Sequence, residues 1–345
     1  MLNCRVKAAG VILALGGTLL AGTALGQDEK IVLRVADHIP VTHILTEPMI
    51  KFWMKEVTRE TGGKVEFEYY PAEQLGKAKD MLSLALSGVA DITGVVPSQI
   101  SDKFSLAMVA DLPGSFQTSC TGTFAFLPLI REGGIIATKE YGPLGFRPLV
   151  TIVMPPYQIF SRQKLTSVKS FEGLKIQTGT GAKEIMLRML KAVPIRMAGP
   201  ELYESLSRGT IDGGNLATGS ILSYRVAGPA KFVTLGENFG SAVFFYGISE
   251  ARWRKLPERI QKIMLEAGEA AQRNVCTVTD RATEADYEKL KQQGMTAVRF
   301  PPADHQEIAA LAITVRTEWA DALDKRGKPG SEVLKAFTEA LTVVH

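Results

Sequence analysis

Hydrophobic and polar residues along this chain change period at short intervals, and the changes predict strands alternating with helices. Ile31 to Ala36 is a β-prone run, and Val65-Glu66-Phe67-Glu68-Tyr69 alternates with period 2, as a strand with one wet side does. Between them Pro48 suits the first turn of a helix whose Ile50, Trp53, Met54 and Val57 share one face, ended by Gly62-Gly63. Lys77 to Ser87 is helical again and Asp91 to Val96 is strand-like, which completes a β-α-β-α-β series typical of an α/β lobe. The segment 113–145 is looser, because prolines and glycines interrupt its short helical patterns. A strand is expected from Leu149 to Met154; Pro155-Pro156 cannot continue a central ladder and read as a crossing from one lobe to another. Leu174 to Gln177 opens a further β-α unit, with Ile185, Met186, Met189 and Leu190 as the buried stripe of its helix. Pro200 starts a short helix carrying Leu202 and Leu206, closed at Gly209, and Ile211-Asp212-Gly213-Gly214 reads as a sharp turn. Pro257 to Gln293 is helix-compatible throughout, weak only at Gly268, and long enough to run along two lobes.

The first residues change the setting in which these elements are read. Arg5 and Lys7 form a small basic region, Val11 to Leu25 carries no charge, and Ala24-Leu25-Gly26 supplies the small residues that signal peptidase reads. A signal peptide over residues 1–26 is expected, and with it a periplasmic location. A membrane anchor fits less well, since the apolar run is near the lower limit for spanning and Gln27 to Lys30 is polar. Cys4 precedes the apolar run, where a lipoprotein cysteine does not lie. Cleavage removes two bases and no acids, so the formal charge of +4 becomes +2, and no basic run marks a nucleic-acid partner. Cys120 and Cys276 remain; spacing alone leaves both a bridge and two buried free thiols open.

Candidate chemistry is sparse. Gly179-Thr180-Gly181 lacks the third glycine of a dinucleotide fingerprint, and no GxxxxGK[ST] occurs, so no nucleotide cofactor is expected. Asp37, His38 and His43 lie close together, but their spacing is not that of a zinc site, and no metal is expected. There is no GxSxG, no family signature surrounds the cysteines, and four histidines leave few general bases, so no catalytic residue is assigned. Met186, Met189, Phe124 and Phe126 could line a pocket, although methionines at helical spacing more often build core. In a doubly wound arrangement the strand ends at Asp37-His38, Val96-Pro97, Tyr157 and Gln177 meet at one crevice, where ligands bind.

Four segments then carry a resemblance. YPAEQLG at 70–76, FEGLKI at 171–176, GPELYESLSRGTIDG at 199–213 and WRKLP at 253–257 closely resemble the DctP-like solute-binding proteins of TRAP transporters, in order along nearly the whole chain after residue 26. The resemblance implies a two-lobed α/β receptor in the periplasm, a monomer without cofactor. Such a receptor closes around a small ligand, usually an organic acid, and delivers it to the small and large membrane subunits of a permease. The implied lobes are 27–153 with 242–280 and 154–241 with 281–345. A sensory receptor for a membrane signalling protein and an exported hydrolase are the alternatives.

The chain departs from the family where ligands are held. In the family the GLKI strand continues with an arginine that clamps the ligand carboxylate; here that position is Gln177, whose amide cannot neutralise a charge. Pro156-Tyr157 stands where many sialic-acid and related members place a second arginine, Gly199 where an aromatic often covers the ligand, and DGGNL at 212–216 where DGQEN is usual. The expected ligand-binding residues are therefore His38, Val96, Tyr157, Gln177, Gly199, Asn215, Leu216 and Phe244, with Gly199 making room and Leu216 and Phe244 drying the wall. On that view the ligand is a bulkier, less charged aromatic or alicyclic compound. Alternatively Lys175, Arg162 or Arg196 replaces the lost arginine and the ligand is an ordinary organic acid.

Overall fold

The computed structural model describes residues 1, 2 and 30–344. The expected signal peptide, beyond Met1 and Leu2, lies outside the described residues. From the first strand the chain runs β1 (Ile31–Ala36), α1 (Phe52–Glu60), β2 (Val65–Tyr70), α2 (Met81–Leu86), β3 (Ile92–Val95), α3 (Ser119–Ile130), α4 (Gly142–Leu144) and β4 (Phe146–Val153). It continues with β5 (Gln158–Ser161), β6 (Lys175–Thr178), α5 (Ala182–Met189), β7 (Val193–Arg196), α6 (Leu202–Ser207), β8 (Gly213–Leu216), α7 (Thr218–Ser223) and β9 (Phe232–Thr234). Last come β10 (Val243–Ser249), α8 (Glu250–Trp253), α9 (Glu258–Gln292), β11 (Thr296–Val298), α10 (Pro302–Asp324) and α11 (Gly330–Val343).

Two sheets result, in the orders β2-β1-β3-β10-β4 and β11-β9-β5-β8-β6-β7. Each is mostly parallel with one reversed strand inside it, β10 in the first and β5 in the second. Both faces of the sheets are covered, so their inner strands are apolar on both sides. Along β10, Val243 and Phe245 enter one core while Phe244, Tyr246 and Ile248 enter the other, as the period of 2 requires. Pro155-Pro156 lies between β4 of the first sheet and β5 of the second, and the chain returns through 235–242. The two crossings pair: Tyr157 N donates to Gly240 O at 2.8 Å and Met154 N to Ala242 O at 2.9 Å.

α9 is the long helix that the sequence predicts, packed against α1, α3 and β4 on one side and α7 and β11 on the other. Gly268 is less a weak point than a close approach, because a Cβ there would overlap the carbonyl oxygen of Leu149 on β4. Cys120 of α3 and Cys276 of α9 form a disulfide. Asp280, one turn further along α9, accepts from Ser119 N at 2.6 Å and Cys120 N at 2.9 Å and so caps α3.

Three expectations need correction. Gly213 and Gly214 are strand residues paired with Ser161 and Phe160, not a turn; a Cβ on either would collide with Phe160, so glycine there serves close packing. The buried stripe of α5 is Ala182, Lys183, Met186, Leu187 and Leu190, with Ile185 and Met189 only half-buried. Residues 281–345 do not all side with the second sheet: α10 packs on α5, but α11 packs on α3, where Phe337 meets Phe116 and Phe126 edge-on at 6.4 Å.

Candidate ligand-binding cavity

Where the carboxyl ends of the parallel strands of both sheets face one another, a cavity of about 70 Å³ lies between them. His38 follows β1, Val96 follows β3 and Phe244 opens β10, all on the first-sheet side. On the second-sheet side Tyr157 precedes β5, Gln177 lies on β6, Asn215 and Leu216 on β8, and Gly199 follows β7. All eight residues singled out in the sequence line this one cavity. Lys175, Arg162 and Arg196 do not line it: each is exposed, and Arg196 is paired with Glu184 at 2.8 Å. Met186 and Phe126 are core residues, and Met189 and Phe124 pack against the core.

The first-sheet wall is a closed polar network under an aromatic surface. Asp37, wholly buried, accepts from Tyr69 Oη at 2.9 Å, from Ile39 N at 3.2 Å and from the Tyr246 hydroxyl. Burial pushes the Asp37 carboxyl above its ordinary value, against the nearby His38 and the hydrogen bonds. His38 Nδ1 lies 3.3 Å from Gly94 O, a pure acceptor, so that nitrogen carries the proton, and the ring stacks on Phe244 with centroids 5.5 Å apart. Burial lowers the His38 pKa, opposed by Asp37, and lowers that of His43 to about 3. His43 Nδ1 accepts from Leu45 N at 3.3 Å, which places its proton on Nε2, toward Ser220 Oγ at 3.4 Å.

The second-sheet wall is less complete. Gln177 donates from Nε2 to Met197 O at 2.9 Å, and Asn215 donates from Nδ2 to Phe239 O at 3.1 Å. Both side chains are buried, and neither Gln177 Oε1 nor Asn215 Oδ1 has a hydrogen-bond partner among the described residues. Gly199 does leave space, but Tyr224 occupies it: a Cβ at 199 would overlap the tyrosine ring. The glycine therefore admits an aromatic wall and does not enlarge the cavity.

Sequence reasoning missed Lys183, the one lysine or arginine among the described lining residues. Its Nζ donates to Ser241 O at 2.6 Å, lies 3.2 Å from Asp111 Oδ2, and stands 4.9 Å from the centre of the Tyr157 ring. Asp111 Oδ1 takes Val243 N at 2.8 Å; burial raises its pKa, and Lys183 opposes the rise. Gly240, at φ +109°, lets the lysine stem pass, since a Cβ there would lie 2.8 Å from Lys183 Cγ. A signal was present: Lys183, Met186, Leu187 and Leu190 fall at i, i+3, i+4 and i+7, so the lysine belongs to the buried face. The Gly179-Thr180-Gly181 loop proves to be an inter-sheet contact, with Thr180 Oγ1 donating to Ser98 O at 2.8 Å and no room for a Cβ at 179 beside Ser98 Oγ.

Comparisons with known proteins agree with this architecture. The family model described as bacterial extracellular solute-binding protein, family 7, matches residues 36–321. A solute-binding protein of Roseobacter denitrificans is 24% identical over 263 residues, 75% of this chain and 79% of that one. A TRAP solute-binding protein of Rhodoferax ferrireducens, solved with copurified benzoate, superposes with a TM-score of 0.83 at 24% identity, covering 91% of this chain and 98% of that one. A TRAP periplasmic solute-binding protein of Bordetella bronchiseptica, solved with bound (R)- and (S)-mandelate, gives 0.81 at 22% identity, covering 90% and 99%.

Proposed function

Since the chain belongs to bacterial extracellular solute-binding protein family 7, we propose that it captures a small organic solute between its two sheets and surrenders it to the membrane subunits of a TRAP-type permease. The observation that carries this reading is the cavity itself. It is walled by both sheets at their strand ends, bordered by the paired crossings at 154–157 and 239–242, and lined by apolar and polar side chains in similar measure. Such a site needs two bodies to part and close again, and the contact of Thr180 with Ser98 is of the kind that closure makes and opening breaks. The cavity volume of about 70 Å³ is under half of the roughly 150 Å³ that takes benzene in an engineered apolar cavity. A ring therefore enters only with the lobes parted. The wall that must give includes Tyr224.

The proposed setting is the periplasm, supported by the Cys120–Cys276 disulfide, which persists in oxidising compartments, and by the signal-like first residues. The similar structures that hold benzoate and mandelate suggest solutes built on a single ring. Small-angle scattering with and without a bound solute tests the reading: compaction at saturation is expected, because binding favours the closed form. An unchanged profile at saturation, or turnover of the solute, would sink it. Native mass spectrometry after gentle purification identifies what the chain carries.

A further inference from the structure

Both amides in the second-sheet wall are fixed in orientation. Met197 O and Phe239 O only accept, so Gln177 and Asn215 must turn their NH₂ groups toward them; flipping either amide would set two oxygens against each other. Gln177 Oε1 and Asn215 Oδ1 are thereby left as acceptors that no group among the described residues satisfies, in residues that are 4% and 2% exposed and line the cavity. Native interiors seldom leave buried carbonyl oxygens in that state.

Among the described lining residues none offers a positive charge to spare. Lys183 is taken by Asp111, Ser241 O and the Tyr157 ring. His43 is neutral with its proton on Nε2, and His38, protonated on Nδ1, presents Nε2 as a further acceptor. Around a charge pair that is already balanced, the lining thus keeps neutral donors at Tyr157 and Tyr224 and acceptors at Gln177 Oε1, Asn215 Oδ1 and His38 Nε2. A carboxylate brings acceptors only, so it would meet these oxygens lone pair to lone pair.

We propose, on the premise that the chain is a solute receptor, that Gln177 and Asn215 make it select an uncharged solute bearing N–H or O–H donors, such as a carboxamide, a lactam or an alcohol, over a carboxylate. The solute supplies the donors that these two oxygens lack, and its own carbonyl or hydroxyl oxygen meets the Tyr157 and Tyr224 side of the wall.

Matched acid and amide probes test this on the chain from residue 27 onward: propionate against propionamide, benzoate against benzamide, with 2-pyrrolidinone as a lactam, read by calorimetry and scattering. The amide of a pair that fits should bind at least tenfold more tightly than its acid. An acid that binds as well as its amide overturns the proposal. Gln177→Leu and Asn215→Leu should each weaken amide binding tenfold or more without weakening acid binding, which rises as the opposed oxygen is removed, while Gln177→Arg should turn the preference toward the acid. If a variant fails to fold, the wild-type pairs decide alone. If no probe binds, the molecule retained through purification decides: a neutral donor-bearing one upholds the assignment, and a carboxylate overturns it. Compaction by a carboxylate would leave the receptor reading standing while removing this one; no retained molecule and no compaction by any probe would remove both.

Discussion

The two walls of the cavity differ in how they treat buried polar groups. On the first-sheet side the Asp37 carboxylate is surrounded by Tyr69, Tyr246 and Ile39 N, and His38 is held between Gly94 O and Phe244. The buried carboxyl of that wall is fully partnered before any solute arrives, and only His38 Nε2 is left to the cavity. On the second-sheet side Gln177 and Asn215 are each half satisfied. The difference teaches where recognition is stored: a finished network sets a surface, while an unfinished one states what the incoming molecule must contribute. Lys183 and Asp111 join the walls beside the crossing segments, one from each side.

The largest effect is expected where the walls meet. Lys183→Met leaves the Asp111 carboxylate buried without its partner, which costs about 3–5 kcal/mol of stability. Urea unfolding should show this, with part of the loss restored by adding Asp111→Asn; an unchanged midpoint would mean that the pair joins nothing. Next comes the disulfide, which lies outside both walls. Replacing Cys120 and Cys276 with serine should lower stability by roughly 2–4 kcal/mol while solute affinity stays near wild type.

Within the finished wall, Tyr246→Phe removes a donor from a buried carboxylate and should cost about 1.5–3 kcal/mol. His43 offers a pH test of the same side. Its folded pKa of about 3 lies below the ordinary 6.5, so the unfolded chain takes up a proton in that window and the folded one does not. Its contribution is fully present above pH 6.5 and is lost as pH falls toward 3, amounting to about 2 kcal/mol by pH 5. The slope should flatten in His43→Gln; an equal slope in the variant would place the effect elsewhere. The smallest effect is expected in the unfinished wall. Gln177→Leu loses one hydrogen bond but also removes an oxygen that lacked one, so stability should move by less than about 1 kcal/mol. A loss as large as that of Tyr246→Phe would erase the contrast between the walls.

Much of this arrangement was legible in the chain, and the parts that were not share a cause. Regular strands announced themselves by alternation, as at Ile31–Ala36 and Val65–Tyr70, and the cavity's position followed from where such strands end. Tyr224 was not legible, because its ring fills the space left by Gly199 and nothing in the local pattern links the two. Lys183 was not legible as a lining residue, because a lysine on a helix is ordinarily solvated.

By itself the sequence determined the alternation of elements, the double-proline crossing, the long helix and the strand ends that face the cavity, since all of these depend on residues near one another in the chain. Tertiary structure alone decided that Lys183 is buried, because its partners Asp111 and Ser241 lie 72 and 58 residues away. It also decided that Cys120 meets Cys276 across a separation of 156, and that the oxygens of Gln177 and Asn215 go unmet while their nitrogens are taken. Periodicity records which face of an element is dry, but the partner of a buried polar atom is fixed only when distant segments are brought within hydrogen-bonding distance.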